Sequence, residues 1–158
     1  QVIDAFLSTI TELPTSFDVI AGTATAGIPH AAWIADRLNK PMVYVRSKPK
    51  GHGKNNQIEG RISAGQNALI IEDLVSTGKS ALNAAAALRN VGATVTNCCA
   101  IFNYGFPQAK HAFEQSGIQL DCLTDFSSLL TQDHLFSPQE REELARWNAK
   151  PTHWLPAS

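Results

Sequence analysis

Two adjacent carboxylates, Glu72 and Asp73, stand at the end of the apolar run Ala68-Leu-Ile-Ile71, and Leu74, Val75, Ser76, Thr77, Gly78, Lys79 and Ser80 follow. Carboxylates accept hydrogen bonds from vicinal hydroxyls and can hold Mg²⁺. The apolar run reads as a buried parallel strand, and the Ala-rich stretch 81–88 as the helix after it. The loop between such elements lies at the carboxyl edge of the sheet, where open α/β sheets bind ligands. The helix start offers free N–H groups and the positive end of its dipole to a phosphate. A phosphate cradle beside a diol-and-metal acceptor is a site for a phosphorylated ribose. Two plainer readings compete. Gly78-Lys79-Ser80 looks like the end of G-x-x-x-x-G-K-[ST], but that pattern needs glycine at position 73, which is Asp. The other is a βα turn capped by Ser or Thr and flanked by two solvated acids.

A second small-residue loop weighs against the plain turn. The segment 17–21 reads as a strand, Gly22-Thr-Ala-Thr-Ala-Gly27 follows, and a helix opens at Ile28-Pro29. Proline suits a first helical turn, where its missing N–H costs nothing. Gly, Ala and Thr let the backbone approach a ligand closely. A third segment is cationic: Arg46, Lys48, Lys50, His52 and Lys54 follow the apolar strand run Pro41-Met-Val-Tyr-Val45, with no acidic residue between Asp36 and Glu59. Gly51, Gly53, Asn55 and Asn56 argue against a regular element there, so 47–56 reads as a functional lid rather than a solvated face. A cationic lid suits a polyphosphate whose pyrophosphate must be stabilised as it leaves.

The elements that must position these segments alternate. Helix 2–12, strand 17–21, helix 28–38, strand 41–46, strand 67–72, helix 79–90, strand 94–102, helix 107–116 and strand 118–123 predict a parallel twisted sheet with helices on both faces. Val43-Tyr-Val45 and Leu69-Ile-Ile71 read as buried on both sides. Ser137-Pro-Gln-Glu140 has capping-box spacing and opens a helix to about Trp147, with Leu144 and Trp147 on one side. The 158 residues, 44% hydrophobic, make one domain, 1–158, with room for a proper core. Thirteen basic against fourteen acidic residues suggest no nucleic-acid partner and no membrane surface. No apolar run approaches a membrane span. Cys98, Cys99 and Cys122 lack metal or disulfide spacing and read as reduced core cysteines of a cytoplasmic protein. His30, His111, His134 and His153 show no ligand spacing, and Trp33, Trp147 and Trp154 read as packing residues.

Gly22-Thr-Ala-Thr-Ala-Gly-Ile-Pro-His30, Tyr44-Val-Arg-Ser-Lys-Pro-Lys-Gly-His52, Asn56-Gln-Ile-Glu-Gly60 and Glu72-Asp-Leu-Val-Ser-Thr-Gly-Lys-Ser80, in this order, resemble the orotate phosphoribosyltransferases. Ala100-Ile-Phe-Asn-Tyr-Gly-Phe106 is similar to their bacterial branch. The 72–80 segment is shared by many type I phosphoribosyltransferases; the lid followed by Asn-Gln-Ile-Glu-Gly is much narrower and decides for the orotate enzymes. The resemblance implies a Rossmann-like type I fold and transfer of phosphoribosyl from 5-phosphoribosyl-1-pyrophosphate (PRPP) to orotate, in pyrimidine biosynthesis. It implies that Glu72 and Asp73 bind the ribose hydroxyls and that Leu74, Val75, Ser76, Thr77, Gly78, Lys79 and Ser80 line the 5′-phosphate site, Ser76 also touching orotate. Thr25 and Ala26 fall in the pyrophosphate loop. Arg46, Lys50 and His52 reach the pyrophosphate from the lid, 46–54, of the neighbouring subunit, so a homodimer is implied. Mg²⁺ would be held mainly through PRPP, helped by Glu72 and Asp73. Lys50, Asp73 and Glu72 are the catalytic candidates.

The chain departs from that family in three places. It opens at Gln1 directly in helix 2–12, with no match to the N-terminal hood that covers the base in relatives. This is either a fragment or a protein without the hood. Lys79 stands where many relatives have Gly, adding a cation near the 5′-phosphate or pointing to solvent. An evident arginine after the last core strand that could pair with the orotate carboxylate, as in some branches of the family, is lacking. The alternatives are therefore a transferase for another nucleobase, or a non-catalytic PRPP-sensing regulator.

Overall fold

Apolar side chains on both sides of a central strand dictate the architecture. Leu69 and Ile71 of β4 (Asn67–Val75) are fully buried on one face, and Ala68 and Ile70 on the other. A strand buried on both faces needs helices above and below it. In the computed structural model, which describes residues 1–48, 57–132 and 134–151, β4 sits inside a six-stranded sheet ordered β3-β2-β1-β4-β5-β6. Its other strands are β1 (Val19–Thr23), β2 (Met42–Val45), β3 (Ile58–Glu59), β5 (Thr94–Asn103) and β6 (Gln119–Asp125). Helices α1 (Val2–Glu12) and α2 (Gly27–Leu38) pack on one face through Phe6, Ile10, Ala31 and Ile34, against Ile20, Leu69, Ile71 and Cys99. Helices α3 (Lys79–Asn90) and α4 (Pro107–Ser116) cover the other through Ala81, Ala84, Leu88 and Phe113, against Val19, Ala21, Ile70 and Cys98. Each fully buried Leu or Ile contributes about 1.5–3 kcal/mol.

Helices α1, α2, α3 and α4 stand where the sequence pattern puts them, and so does α6 (Pro138–Ala149), opened by a formed capping box between Ser137 and Glu140. Leu144 and Trp147 line one cavity of about 480 Å³ beside it. Several expectations are corrected. The expected parallel sheet with helices on both faces is present, with one antiparallel edge added: β3 pairs antiparallel with β2, and Arg46 and Gln57 bond at the end of that pair (Arg46 N to Gln57 O, 2.9 Å; Gln57 Nε2 to Arg46 O, 2.7 Å). β4 continues past the carboxylates to Val75, because β5 pairs with Leu74 and Val75, and ladder hydrogen bonds outweigh the polar side chains. β1 begins and ends two residues later than expected, and a short helix α5 (Phe126–Leu130), capped by Asp125, was not foreseen. Tyr44 is half-buried, so β2 is closed on one face only. Trp33 is 57% exposed; the sheet-facing positions of α2 are Gly27, Ala31, Ile34 and Ala35, and residue 33 falls off that stripe. Trp147 does pack, with Tyr104, Phe106 and Phe126. Cys98 and Cys99 are buried and Cys122 half-buried, all as free thiols.

Two glycines set how closely helices approach the site. A Cβ on Gly27 would lie 2.5 Å from both the Ile71 carbonyl and the Thr23 hydroxyl. Gly78 has φ +78°, and a Cβ there would lie 2.8 Å from the Phe113 ring. Gly27→Ala should therefore lower stability by about 1–3 kcal/mol or more, since two backbone segments would have to part. Chemical denaturation reads this directly, and an unchanged midpoint would refute the close approach.

Candidate active site

Strands β1 and β4 are parallel neighbours, with Gly22 opposite Ile71. α2 leaves β1 toward one face and α3 leaves β4 toward the other, so the loops 24–26 and 76–78 part at the carboxyl edge. That crevice is the topological switch point, where α/β sheets bind ligands. The sequence-chosen residues of both small-residue loops meet here. Thr25, Ala26, Thr77, Lys79 and Ser80 are exposed, Ser76 is half-buried, Val75 and Gly78 are buried, and Leu74 is 42% exposed. The Ala24–Thr25 peptide is cis. Neither α2, starting from Ala26, nor α3, starting from Gly78, has a side-chain cap, whereas Asp125 caps α5 and Ser137 caps α6. A helix start without a side-chain cap leaves first-turn amides to be satisfied by a ligand; on α2, Ile28 N already donates to the Thr25 carbonyl at 3.2 Å and Pro29 has no N–H to give. The Ser or Thr cap of the plain-turn reading is not formed on α3: Thr77 Oγ1 stands 3.5 Å from Lys79 N, and the cap position is glycine.

The carboxylates differ in setting. Asp73 is half-buried, while Glu72, deep in β4, is only 4% exposed. Glu72 Oε1 accepts from the Thr23 hydroxyl at 2.6 Å and from the Asp73 amide at 3.1 Å. Its Oε2 is buried with no partner among the described residues. Burial foremost, then the neighbouring Asp73 carboxyl, push Glu72 up to about 7; the Thr23 hydroxyl and Asp73 amide pull the other way. A buried acceptor without a donor invites a hydroxyl or a cation. This donor set fits a divalent ion: hard carboxylate oxygens at the edge of an anion site, where Mg²⁺ is ordinarily shared with substrate phosphates.

The cationic segment is only partly described. Lys50, His52 and Lys54 lie outside the described residues. Arg46, at the segment's base, faces Glu59 of β3 at 3.7 Å. Beyond β4, the ends of β5 and β6 enclose a cavity of about 240 Å³ lined by Asn103, Tyr104, Gly105, Asp125, Phe126 and Ser127. Sequence reasoning missed Thr23, 3% exposed, whose hydroxyl joins the end of β1 to Glu72 of β4. Only the β1–β4 register could have pointed to it, because within its own loop Thr23 looks no different from Thr25.

The sequence matches the phosphoribosyl transferase domain family over residues 1–118. It is similar to an orotate phosphoribosyltransferase of Coxiella burnetii, 54% identical over 159 aligned positions that span 99% of this chain and 76% of that protein. An orotate phosphoribosyltransferase of Listeria monocytogenes is 51% identical over 140 positions, 87% of this chain and 67% of the relative. Among solved structures, the orotate phosphoribosyltransferase from Aeropyrum pernix superposes with a TM-score of 0.77 at 29% identity, over 86% of this chain and 76% of the other. The chain belongs to the phosphoribosyltransferase family, on the branch of the orotate enzymes.

Proposed function

We propose that this protein transfers the phosphoribosyl group of PRPP to N1 of orotate, giving orotidine 5′-monophosphate and pyrophosphate, in pyrimidine biosynthesis. The observation that carries the reading is the crevice between β1 and β4, where a buried carboxylate with one oxygen unpartnered among the described residues stands between two helix starts that lack a side-chain cap. In this account Glu72 and Asp73 accept the ribose hydroxyls, and residues 74–80 hold the 5′-phosphate, with Ser76 reaching the base. Thr25 and Ala26 hold the pyrophosphate. Mg²⁺, carried in mainly with PRPP and assisted by Glu72 and Asp73, would supply positive charge against the leaving group.

No strong base is needed. Conjugated carbonyls acidify the orotate ring nitrogen, so the nucleophile is readily anionic. The demanding event is loss of pyrophosphate, which leaves positive charge on the anomeric carbon and negative charge on the departing oxygens. Lys50, with Arg46 and His52, offsets that negative charge, and a closed lid excludes the water that would hydrolyse PRPP. The lid acts in the active site of a second subunit, making the homodimer the working unit. Among the described residues no helix is long and apolar enough to cross a membrane. The free thiols suit a cytoplasmic setting.

Orotate consumption, followed by absorbance with PRPP and Mg²⁺, tests the reading. It should be run on this chain and on a version preceded by the N-terminal segment of its relatives. Consumption in at least the longer form is expected. Use of uracil or a purine instead would assign another base, and PRPP binding without turnover on any base would leave a regulator.

Two further outcomes follow from the site. Lys50→Ala should lower kcat roughly 10²-fold with a smaller rise in KM, and Asp73→Asn should be impaired in its own subunit. Mixing the two variants should then recover about a quarter of native activity, since half the dimers are mixed and each has one intact site. A mixture no better than its components contradicts a lid acting in trans. The second outcome concerns pH. Glu72 is raised from the ordinary 4.5 to about 7, so between those values the folded state holds a proton that the unfolded state has lost. Its stabilising contribution is complete below the lower value and is lost as pH rises to the upper one. Glu72→Gln removes that decline and should gain up to about 3 kcal/mol on the native protein above neutrality. Parallel stability–pH curves for the two would contradict the burial argument.

A further inference from the structure

We propose that Thr23 is a positioning residue for phosphoribosyl transfer: from β1 its hydroxyl fixes the Glu72 carboxylate on β4, so that the pyrophosphate loop and the ribose acceptor are held as one unit. The inference rests on the reading that Glu72 takes the ribose hydroxyls. Thr23 is the last residue of β1, directly before the loop 24–26, and its backbone is tied to β2 by the next amide, Ala24 N to Val45 O at 2.9 Å. Its Oγ1 stands 2.6 Å from Glu72 Oε1 and 3.2 Å from the Ile71 carbonyl. A hydroxyl has one proton to give. The shorter distance lies in the range of an O–H donated to a carboxylate, so the proton belongs to Glu72.

With the Asp73 amide as its second donor, Oε1 is occupied and the carboxylate is held from two sides. The other oxygen, Oε2, is the one left buried and unpartnered among the described residues. Thr23 thereby determines which carboxylate oxygen is free for a ligand. The start of α2 closes over the hydroxyl so tightly that a Cβ on Gly27 would lie 2.5 Å from it. The alternative, that Thr23 only satisfies the Ile71 carbonyl and fills the core, predicts a loss of stability without any coupling to Glu72.

Calorimetric titration of PRPP with Mg²⁺ separates the two on four proteins: native, Thr23→Val, Glu72→Ala and the double variant. Thr23→Val keeps the shape and removes the donor. It should weaken PRPP binding about 10- to 100-fold in the native background and less than about 2-fold when residue 72 is already Ala. Thr23→Ser, which restores the hydroxyl, should recover binding to within a few-fold. If valine prevents folding, Thr23→Ala takes its place in the same cycle. Equal losses in both backgrounds, or a serine variant as weak as the valine one, would overturn the positioning role. A native protein that does not bind PRPP would instead overturn the functional reading on which this inference rests.

Discussion

The parallel pairing of β1 with β4 is the constraint from which the site is built. Gly22 lies opposite Ile71, and each strand runs straight into its own helix. A right-handed crossover sends successive helices to one face or the other according to the direction in which strands are added. From β1 the sheet grows outward through β2 and β3; from β4 it grows the other way through β5 and β6. The two helices must therefore separate, and the space between their starts cannot be filled by either. Gly27 lets α2 sit against the end of β4, and Gly78 lets α3 turn off beneath Phe113. The crevice thus follows from topology, while two missing side chains set its width.

Placing Glu72 within that pairing is costly. A carboxylate taken from water without full compensation is driven toward its neutral form, as its shift to about 7 records. Hydrophobic packing would be better served by an apolar residue at this position, next in line after Ile70 on a strand whose neighbours are fully buried. The cost has a counterpart in function. A binding partner that donates to Oε2, or brings positive charge, recovers solvation that folding withheld. Thr23 limits how the carboxylate can respond in the meantime.

Much of this was legible in the chain. The apolar run into Glu72 and Asp73, the Gly-and-Thr loop before Pro29 and the alternation of elements gave the parallel core and both loops, because periodicity and turn chemistry are local properties. What was not legible depends on partners distant in sequence. β4 runs on through its polar end because β5 pairs with it, and β3 forms because β2 offers a free edge. Trp33 looked like a packing residue, but the sheet-facing stripe of α2 passes it by. Thr23 acquires its partner only through inter-strand register. Lys50 and His52 stand outside the described residues, so their part rests on the sequence pattern alone.

On the function proposed above, PRPP occupies the crevice between β1 and β4. Backbone amide chemical shifts of this chain, recorded as PRPP and Mg²⁺ are added, test it most directly. The largest changes are expected at Thr23 to Gly27 and at Glu72 to Ser80, with the α6 groove around Leu144 and Trp147 unaffected. Changes centred on that groove, or none in the two loops at saturating PRPP, would contradict it.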